Sequence, residues 1–128
     1  MKKILPFFLA ALLLAGCAAP AEKNTSRQIN MDEAITMMDE ESGYIILDVR
    51  TPEEFAGKHI PGAVNIPNET IGTTEIPELP DRDQLILVYC RSGNRSKQAS
   101  EKLVALGYTN IVEFGGINDW PGETVSGP

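Results

Sequence analysis

Two nearly continuous apolar runs constrain the fold of this chain more than any other feature. They cover residues 44–49 (YIILDV) and 84–89 (QLILVY). A strand with one wet face alternates polar and apolar residues, whereas a strand buried on both faces is apolar almost throughout. Strands of the second kind belong mainly to parallel sheets covered by helices. The sequence therefore predicts an α/β fold with a central parallel β-sheet flanked by helices on both faces.

Helical segments alternate with these strands at the interval expected for a parallel sheet. Asn30 and Thr51 are each followed three positions later by a glutamate, a pattern that marks the start of a helix. We predict helices from Asn30 to about Glu41, from Thr51 to about Lys58 and from Ser96 to Leu106. Shorter strands are predicted at 63–67 and 110–114, followed by a short helix near Trp120.

The N-terminus has the layout of an export signal. Lys2 and Lys3 precede an apolar stretch that ends in small residues. The segment Leu14–Cys17 resembles the bacterial lipobox, in which the cysteine receives a lipid and the chain is cut before it. The alternative is an ordinary apolar helix or uncleaved anchor with an incidental cysteine.

These features divide the chain into three parts. Residues 1–16 are predicted to be a lipoprotein signal peptide, and residues 17–27 a lipidated Cys17 with a flexible tether. Residues 28–128 are predicted to form one folded domain. The protein is then exported and lipid-anchored to the extracytoplasmic face of a bacterial membrane, with the lipid as its membrane contact.

Charge and composition narrow the choice of partners. The formal net charge is −7, and it becomes −9 when Lys2 and Lys3 are removed with the signal peptide. Nucleic acid is therefore disfavoured as a partner. One histidine and one unlipidated cysteine do not make a tetrahedral ligand set, so no metal site is predicted.

Cys90 follows the second apolar run, at the strand end where α/β sheets bind ligands. In the loop RSGNR, backbone N–H groups and the start of the next helix favour an anion. The anion available is the thiolate, so Cys90 is predicted to have a depressed pKa and to be a nucleophile. Gly93 lets the loop close tightly, while Arg91 and Arg95 add charge that can bind an oxyanion. The alternatives are an inert buried thiol and solvated surface arginines.

Several other polar and aromatic residues receive structural interpretations. Asp48 and Arg50 are interpreted as an ion pair or helix cap in preference to substrate contacts. For His59 we favour a positional or rim role over proton transfer. Core packing is favoured for Trp120 over a place at the mouth of a pocket. Pocket rim residues are expected in the segment 68–80.

Four motifs in order resemble those of a single-domain rhodanese, a sulfurtransferase: DVR at 48–50, EEFAGKHIPGAVNIP at 53–67, VYCRSGNRS at 88–96 and LGYTNIVEFGGINDW at 106–120. The resemblance implies a rhodanese-like fold in which Cys90 accepts a sulfane sulfur as a persulfide. The persulfide cradle would then consist of Arg91, Ser92, Gly93, Asn94 and Arg95. Donors would be small sulfur-containing anions or persulfides, and acceptors a thiol or cyanide. No cofactor is needed, because a thiolate attacks sulfur directly.

Two other functions share these features. Cysteine phosphatases use a similar loop, but with five residues between cysteine and arginine, whereas only four separate Cys90 from Arg95. The tighter ring suits one sulfur atom better than a phosphoryl group. A binding module that kept the fold and lost the reaction is the other alternative, and intact Cys90 argues against it.

Overall fold

A computed structural model describes residues 25–72 and 74–128. The predicted signal peptide, the lipidated Cys17 and most of the predicted tether lie outside the described residues. Among the residues that are described, no helix is long and apolar enough to cross a membrane.

A five-stranded parallel sheet forms the centre of the domain, as predicted. Its strands are β1 (Arg27–Gln28), β2 (Ile45–Asp48), β3 (Val64–Asn65), β4 (Ile86–Cys90) and β5 (Ile111–Gly116). Their order across the sheet is β1-β5-β4-β2-β3, and every pair is parallel. The two apolar runs form the neighbouring strands β2 and β4 in the middle of this sheet.

The described residues include three α-helices: α1 (Met31–Glu40), α2 (Pro52–Gly57) and α3 (Asn94–Ala105). The predicted capping boxes form at both sites, with Asn30 paired to Glu33 and Thr51 paired to Glu54. Single turns of 3-10 helix occupy Asn68–Thr70 and Ile117–Asp119, the second where a short helix was expected near Trp120.

Alternate residues of the central strands enter two separate cores. Leu47 and Val88 pack with α3 through Ala99 and Leu103 on one face. The opposite face contains Ile46, Leu87, Tyr89 and Phe114, with Ala34 of α1 packed against them. Helices therefore lie on both faces, and the predicted fold class is confirmed.

The main differences from the prediction concern the start of α3, the end of the tether and the segment 68–80. Helix α3 begins at Asn94 and not at Ser96, because Gly93 takes a left-handed conformation (φ +113°) as its N-cap. Arg27, assigned to the tether, pairs with Val112 in β1, since backbone pairing requires no apolar side chain. In the segment 68–80, where pocket rim residues were expected, none of the described residues lines either cavity beside the Cys90 loop, and Ile71, Ile76 and Leu79 pack into the core that α3 covers.

The motif at 48–50 forms a buried ion pair, one of the two structural roles predicted for Asp48 and Arg50. A guanidinium nitrogen of Arg50 lies 2.7 Å from the Asp48 carboxylate and also donates to the Lys58 carbonyl. Although burial lowers the pKa of Arg50, the hydrogen bond and charge of Asp48 raise it above its usual value. This pair fixes the path of the chain between β2 and α2.

His59 also has a structural role. Its ring stacks on Phe55 with centroids 3.7 Å apart, and Nδ1 donates to the Phe55 carbonyl at 2.8 Å. The backbone of His59 pairs with Val125 in an isolated antiparallel bridge. These contacts hold the C-terminal segment against α2.

Candidate active site

Cys90 is the last residue of β4, and only 1% of its surface is exposed. It faces the core that α3 covers, at the carboxyl end of the sheet. Beside it the register with β5 shifts, so that Cys90 pairs with Gly116 although Val88 pairs with Glu113. This irregularity places the two C-terminal glycines of β5 under the loop that follows Cys90.

The sulfur of Cys90 is surrounded by hydrogen-bonding groups. The N–H of Gly93 donates to Sγ at 3.0 Å, and the Ser96 hydroxyl lies 3.5 Å from it. Burial raises the pKa of the Cys90 thiol, but the Ser96 hydroxyl and the N–H groups of Ser96, Gly93 and Ser92 lower it by more. The net pKa lies below the usual value, which is the direction predicted from the loop and the helix start.

The loop is held from below by β5. The N–H of Asn118 donates to the Arg91 carbonyl at 3.2 Å. Gly116 lies so close to this carbonyl that a Cβ atom would overlap it. Gly116, at the end of the last strand, therefore lets two backbone segments touch and sets the position of the loop.

The five predicted cradle residues occupy different environments. Gly93 is buried and contributes its N–H, and Ser92 contributes its N–H from an exposed position. Arg91 is exposed and borders a cavity of about 380 Å³ beside the loop, together with Lys58. Asn94 begins α3 with its side chain exposed.

Arg95 does not face an empty anion site. Its two terminal nitrogens donate to the two carboxylate oxygens of Glu54 at 2.7 and 3.0 Å. The Arg95 hydrogen bond is the main cause that lowers the pKa of Glu54 to about 2, so the carboxylate is ionised at neutral pH. The guanidinium that was predicted to bind substrate is thus already bidentate on an internal carboxylate.

Two further polar residues of the site were missed in the sequence: Ser96 and Glu113. Ser96 is fully buried and lies between Cys90 and Glu113, donating to the Glu113 carboxylate at 2.5 Å. The signal was available, because Glu113 interrupts an otherwise apolar strand. A charge at a buried strand position requires a partner.

Trp120 packs against the core that contains Phe114, and its Nε1 donates to the Glu123 carbonyl. This agrees with the core packing predicted for Trp120.

Within residues 25–72 and 74–128 no group of three or more His, Cys, Asp or Glu side chains is arranged to hold a metal ion. The fold and the site together define an α/β protein whose candidate nucleophile is a cysteine held at a helix N-terminus.

Comparison with known proteins identifies the family. Residues 30–123 match the model of the rhodanese-like domain, and the chain belongs to this family. Residues 1–18 match the prokaryotic membrane lipoprotein lipid attachment site, which agrees with the lipobox. Both resemblances inferred from the sequence are confirmed.

Individual relatives cover most of the folded domain. Thiosulfate sulfurtransferase PspE of Escherichia coli is 38% identical over 73 residues, which are 57% of this chain and 70% of that protein. Thiosulfate sulfurtransferase GlpE of Pseudomonas entomophila is 32% identical, covering 79% of this chain and 94% of its own. A solved structure described as rhodanese with anions from E. coli has a TM-score of 0.60 and 36% identity, covering 66% and 99% of the two chains.

Proposed function

We propose that this protein is a rhodanese-type sulfurtransferase that carries sulfane sulfur as a persulfide on Cys90. The observation that carries this proposal is a buried thiol of lowered pKa, held by the N–H of Gly93 at the start of α3. A thiolate in this position is a nucleophile for a soft sulfur atom.

The reaction has two displacement steps. In the first, the Cys90 thiolate attacks the outer sulfur of a donor such as thiosulfate. The new bond is Sγ–S, the sulfur–sulfur bond of the donor breaks, and sulfite leaves with the electron pair. In the second, a thiolate or cyanide attacks the outer sulfur, and the Cys90 thiolate leaves.

The loop suits the persulfide. The outer sulfur carries the negative charge, and the N–H groups of Ser92 and Gly93 together with the α3 dipole favour an anion there. Support also comes from the relatives, since PspE and GlpE are named thiosulfate sulfurtransferases and the related E. coli rhodanese was solved with anions.

Mass spectrometry of the tryptic peptide 83–91 tests this function. After exposure to thiosulfate or a polysulfide, this peptide should gain the mass of one sulfur atom, and treatment with cyanide should remove it. Cys17 lies in a different peptide and does not interfere. If no donor adds sulfur to Cys90 while the thiol still reacts with alkylating agents, the binding-module alternative replaces the proposal.

The phosphatase alternative is less consistent with the site. The loop has four residues between Cys90 and Arg95, and that arginine is engaged by Glu54. A phosphoryl group has three oxygens to be held, whereas a persulfide has one terminal atom. Release of phosphate from an aryl phosphate, dependent on Cys90 and without persulfide formation, would support the phosphatase instead.

The Arg95–Glu54 pair predicts how the donor is selected. Glu54→Gln should lower the KM for thiosulfate several-fold, because Arg95 is released from its carboxylate partner and can bind an anion. Arg95→Ala should raise the KM for thiosulfate about tenfold, since it leaves the Glu54 carboxylate unpaired near the site. Steady-state kinetics with thiosulfate and with an uncharged organic trisulfide measure both effects.

The neighbouring Glu53→Gln is the matched control, because it removes one carboxylate from the same cavity without touching Arg95. It should leave the KM for thiosulfate and the KM for the trisulfide close to those of the unmodified protein. Equal changes for the charged and the uncharged donor would contradict a role of Arg95 in binding anions.

We further propose that the domain acts on the extracytoplasmic face of a bacterial membrane, held by a lipid on Cys17. The match of residues 1–18 supports lipid attachment. Cys17→Ser should abolish labelling of the protein by a radioactive fatty acid. Labelling that persists in this variant would place the lipid elsewhere.

A further inference from the structure

The hydroxyl of Ser96 links the thiol of Cys90 to the carboxylate of Glu113. Its oxygen lies 3.5 Å from Sγ and 2.5 Å from Oε2 of Glu113. The carbonyl oxygens of Gly93 and Gly115 also lie near it, at 2.9 and 3.4 Å. A hydroxyl has one proton to donate, so these acceptors compete for it.

The short distance between the Ser96 hydroxyl oxygen and Oε2 of Glu113 indicates which acceptor takes the Ser96 proton. A separation of 2.5 Å is typical of an O–H group donating to a charged carboxylate. Oε2 also accepts a hydrogen bond from the N–H of Gly115 at 2.8 Å. This carboxylate oxygen therefore accepts two hydrogen bonds, one from Gly115 and one from Ser96. With its proton directed to Glu113, the Ser96 oxygen accepts from the S–H of Cys90. The resting chain therefore runs from thiol to hydroxyl to carboxylate.

We propose that Cys90 and Glu113 share one proton through Ser96, and that Glu113 is the internal proton acceptor for the thiol. When the thiol ionises, its proton passes to the Ser96 oxygen, and the Ser96 proton passes to Oε2 of Glu113. The S–H bond of Cys90 breaks, the Ser96 oxygen exchanges one O–H bond for another, and Oε2 of Glu113 gains an O–H bond, so the total charge of the group stays at one negative unit. Ser96 then donates to the thiolate that it has helped to form.

This arrangement suits both halves of the sulfur transfer proposed above, on which it rests. Glu113 holds the proton while Cys90 attacks the donor and while the persulfide exists. It returns the proton through Ser96 when Sγ leaves as a thiolate in the second step. Because Cys90 and Glu113 are 1% and 3% exposed, an internal acceptor removes the need to pass this proton to bulk water. Glu113 is thus a positioning residue that acts through Ser96.

The surrounding charges do not supply another acceptor in contact with the thiol. Lys97 and Asp119 line the same cavity as Glu113, whereas Arg91 lines a different one. The other nearby charges are paired or solvated: Arg95 with Glu54, Arg50 with Asp48, and the exposed Arg91. Among the described residues, Ser96 is the only side chain recorded as hydrogen-bonded to Sγ.

The pH dependence of Cys90 alkylation by neutral iodoacetamide tests the shared proton. The full-length protein in detergent is sampled across the pH range, and the rate is read from the peptide 83–91. In the unmodified protein the rate should be nearly flat over about two pH units, because the shared proton does not leave the pair. In Glu113→Gln the rate should rise about tenfold per pH unit up to one thiol pKa, as for an isolated group.

Two matched pairs make the result specific. Ser96→Ala breaks the chain from its other end and should also give a single-group profile, whereas Ser100→Ala, one turn later on α3, should keep the flat region. Asp119→Asn removes a carboxylate from the cavity of Glu113 without touching Ser96, and should also keep it. Circular dichroism checks that each variant is folded.

A single-group profile in the unmodified protein, with the same midpoint in Glu113→Gln, would overturn the proposal. Loss of the flat region in Ser96→Ala alone would also overturn it, since Glu113 would then play no part. Alkylation requires no sulfur donor, so this outcome is independent of persulfide formation. The sulfurtransferase proposal and the shared proton can therefore fail separately.

Discussion

Cys90→Ser is expected to abolish thiocyanate formation from thiosulfate and cyanide, lowering kcat/KM by more than about a thousandfold. Serine has nearly the same shape as cysteine, but its oxygen cannot carry a sulfane sulfur to an acceptor. The N–H of Gly93, which donates to Sγ at 3.0 Å, can donate to the serine hydroxyl instead. The variant should therefore remain folded while the reaction is lost.

Ser100→Ala is the control for this substitution. Its hydroxyl is buried on the same helix as Ser96 and is without a hydrogen-bond partner in the described part of the chain. Removal of an unsatisfied buried hydroxyl should leave activity intact and raise stability by about 1 kcal/mol. Residual thiocyanate formation in Cys90→Ser comparable to that of the unmodified protein would show that another group carries the sulfur.

The position of the candidate nucleophile could be predicted because local sequence determines it. A buried parallel strand is expected to end near the end of its apolar run, and Cys90 directly follows the run 84–89. Gly93 and the polar residues at the start of α3 are also local signals, because they indicate a tight loop followed by a helix. Fold class and candidate nucleophile therefore follow from the alternation of short segments, without knowledge of distant contacts.

The partners of the loop could not be predicted in this way, because they come from elsewhere in the chain. Glu54 reaches Arg95 across 41 positions, and Glu113 reaches Ser96 across 17. Arg95 appeared free to bind an anion because its sequence neighbours include no carboxylate. Whether a charged side chain binds substrate or an internal partner depends on the tertiary structure.

The segment 68–80 illustrates the same difficulty for packing. Its apolar residues are separated by turns and follow neither helical nor strand periodicity. Even so, Ile71, Ile76 and Leu79 are each buried, and the carbonyl of Leu79 accepts the hydroxyl of Tyr108 at 2.6 Å. Irregular backbone gives no periodic signal, so its buried side chains become visible only in the folded chain.

Gly116→Ala is expected to be the most damaging substitution outside the loop itself. A Cβ atom at this position would overlap the carbonyl of Arg91 and lie 2.5 Å from the amide nitrogen of Ser92. Both neighbours are backbone atoms of the loop, so neither can rotate away as a side chain would. The loop must move, and a shift of about 1 Å in an active site can reduce activity about a hundredfold. Overpacking of this kind also costs about 1–3 kcal/mol of stability.

Gly57→Ala provides the matched control, because the same atom is added where nothing lies within 4 Å. Gly57 is the last residue of α2, where alanine is compatible with helical structure, and stability should change by no more than about 1 kcal/mol. Thermal unfolding and thiocyanate formation compare the two variants directly. If Gly116→Ala kept full activity, β5 would not determine the position of the Cys90 loop. Loss of activity at a temperature at which Gly116→Ala is still fully folded would support this role of Gly116.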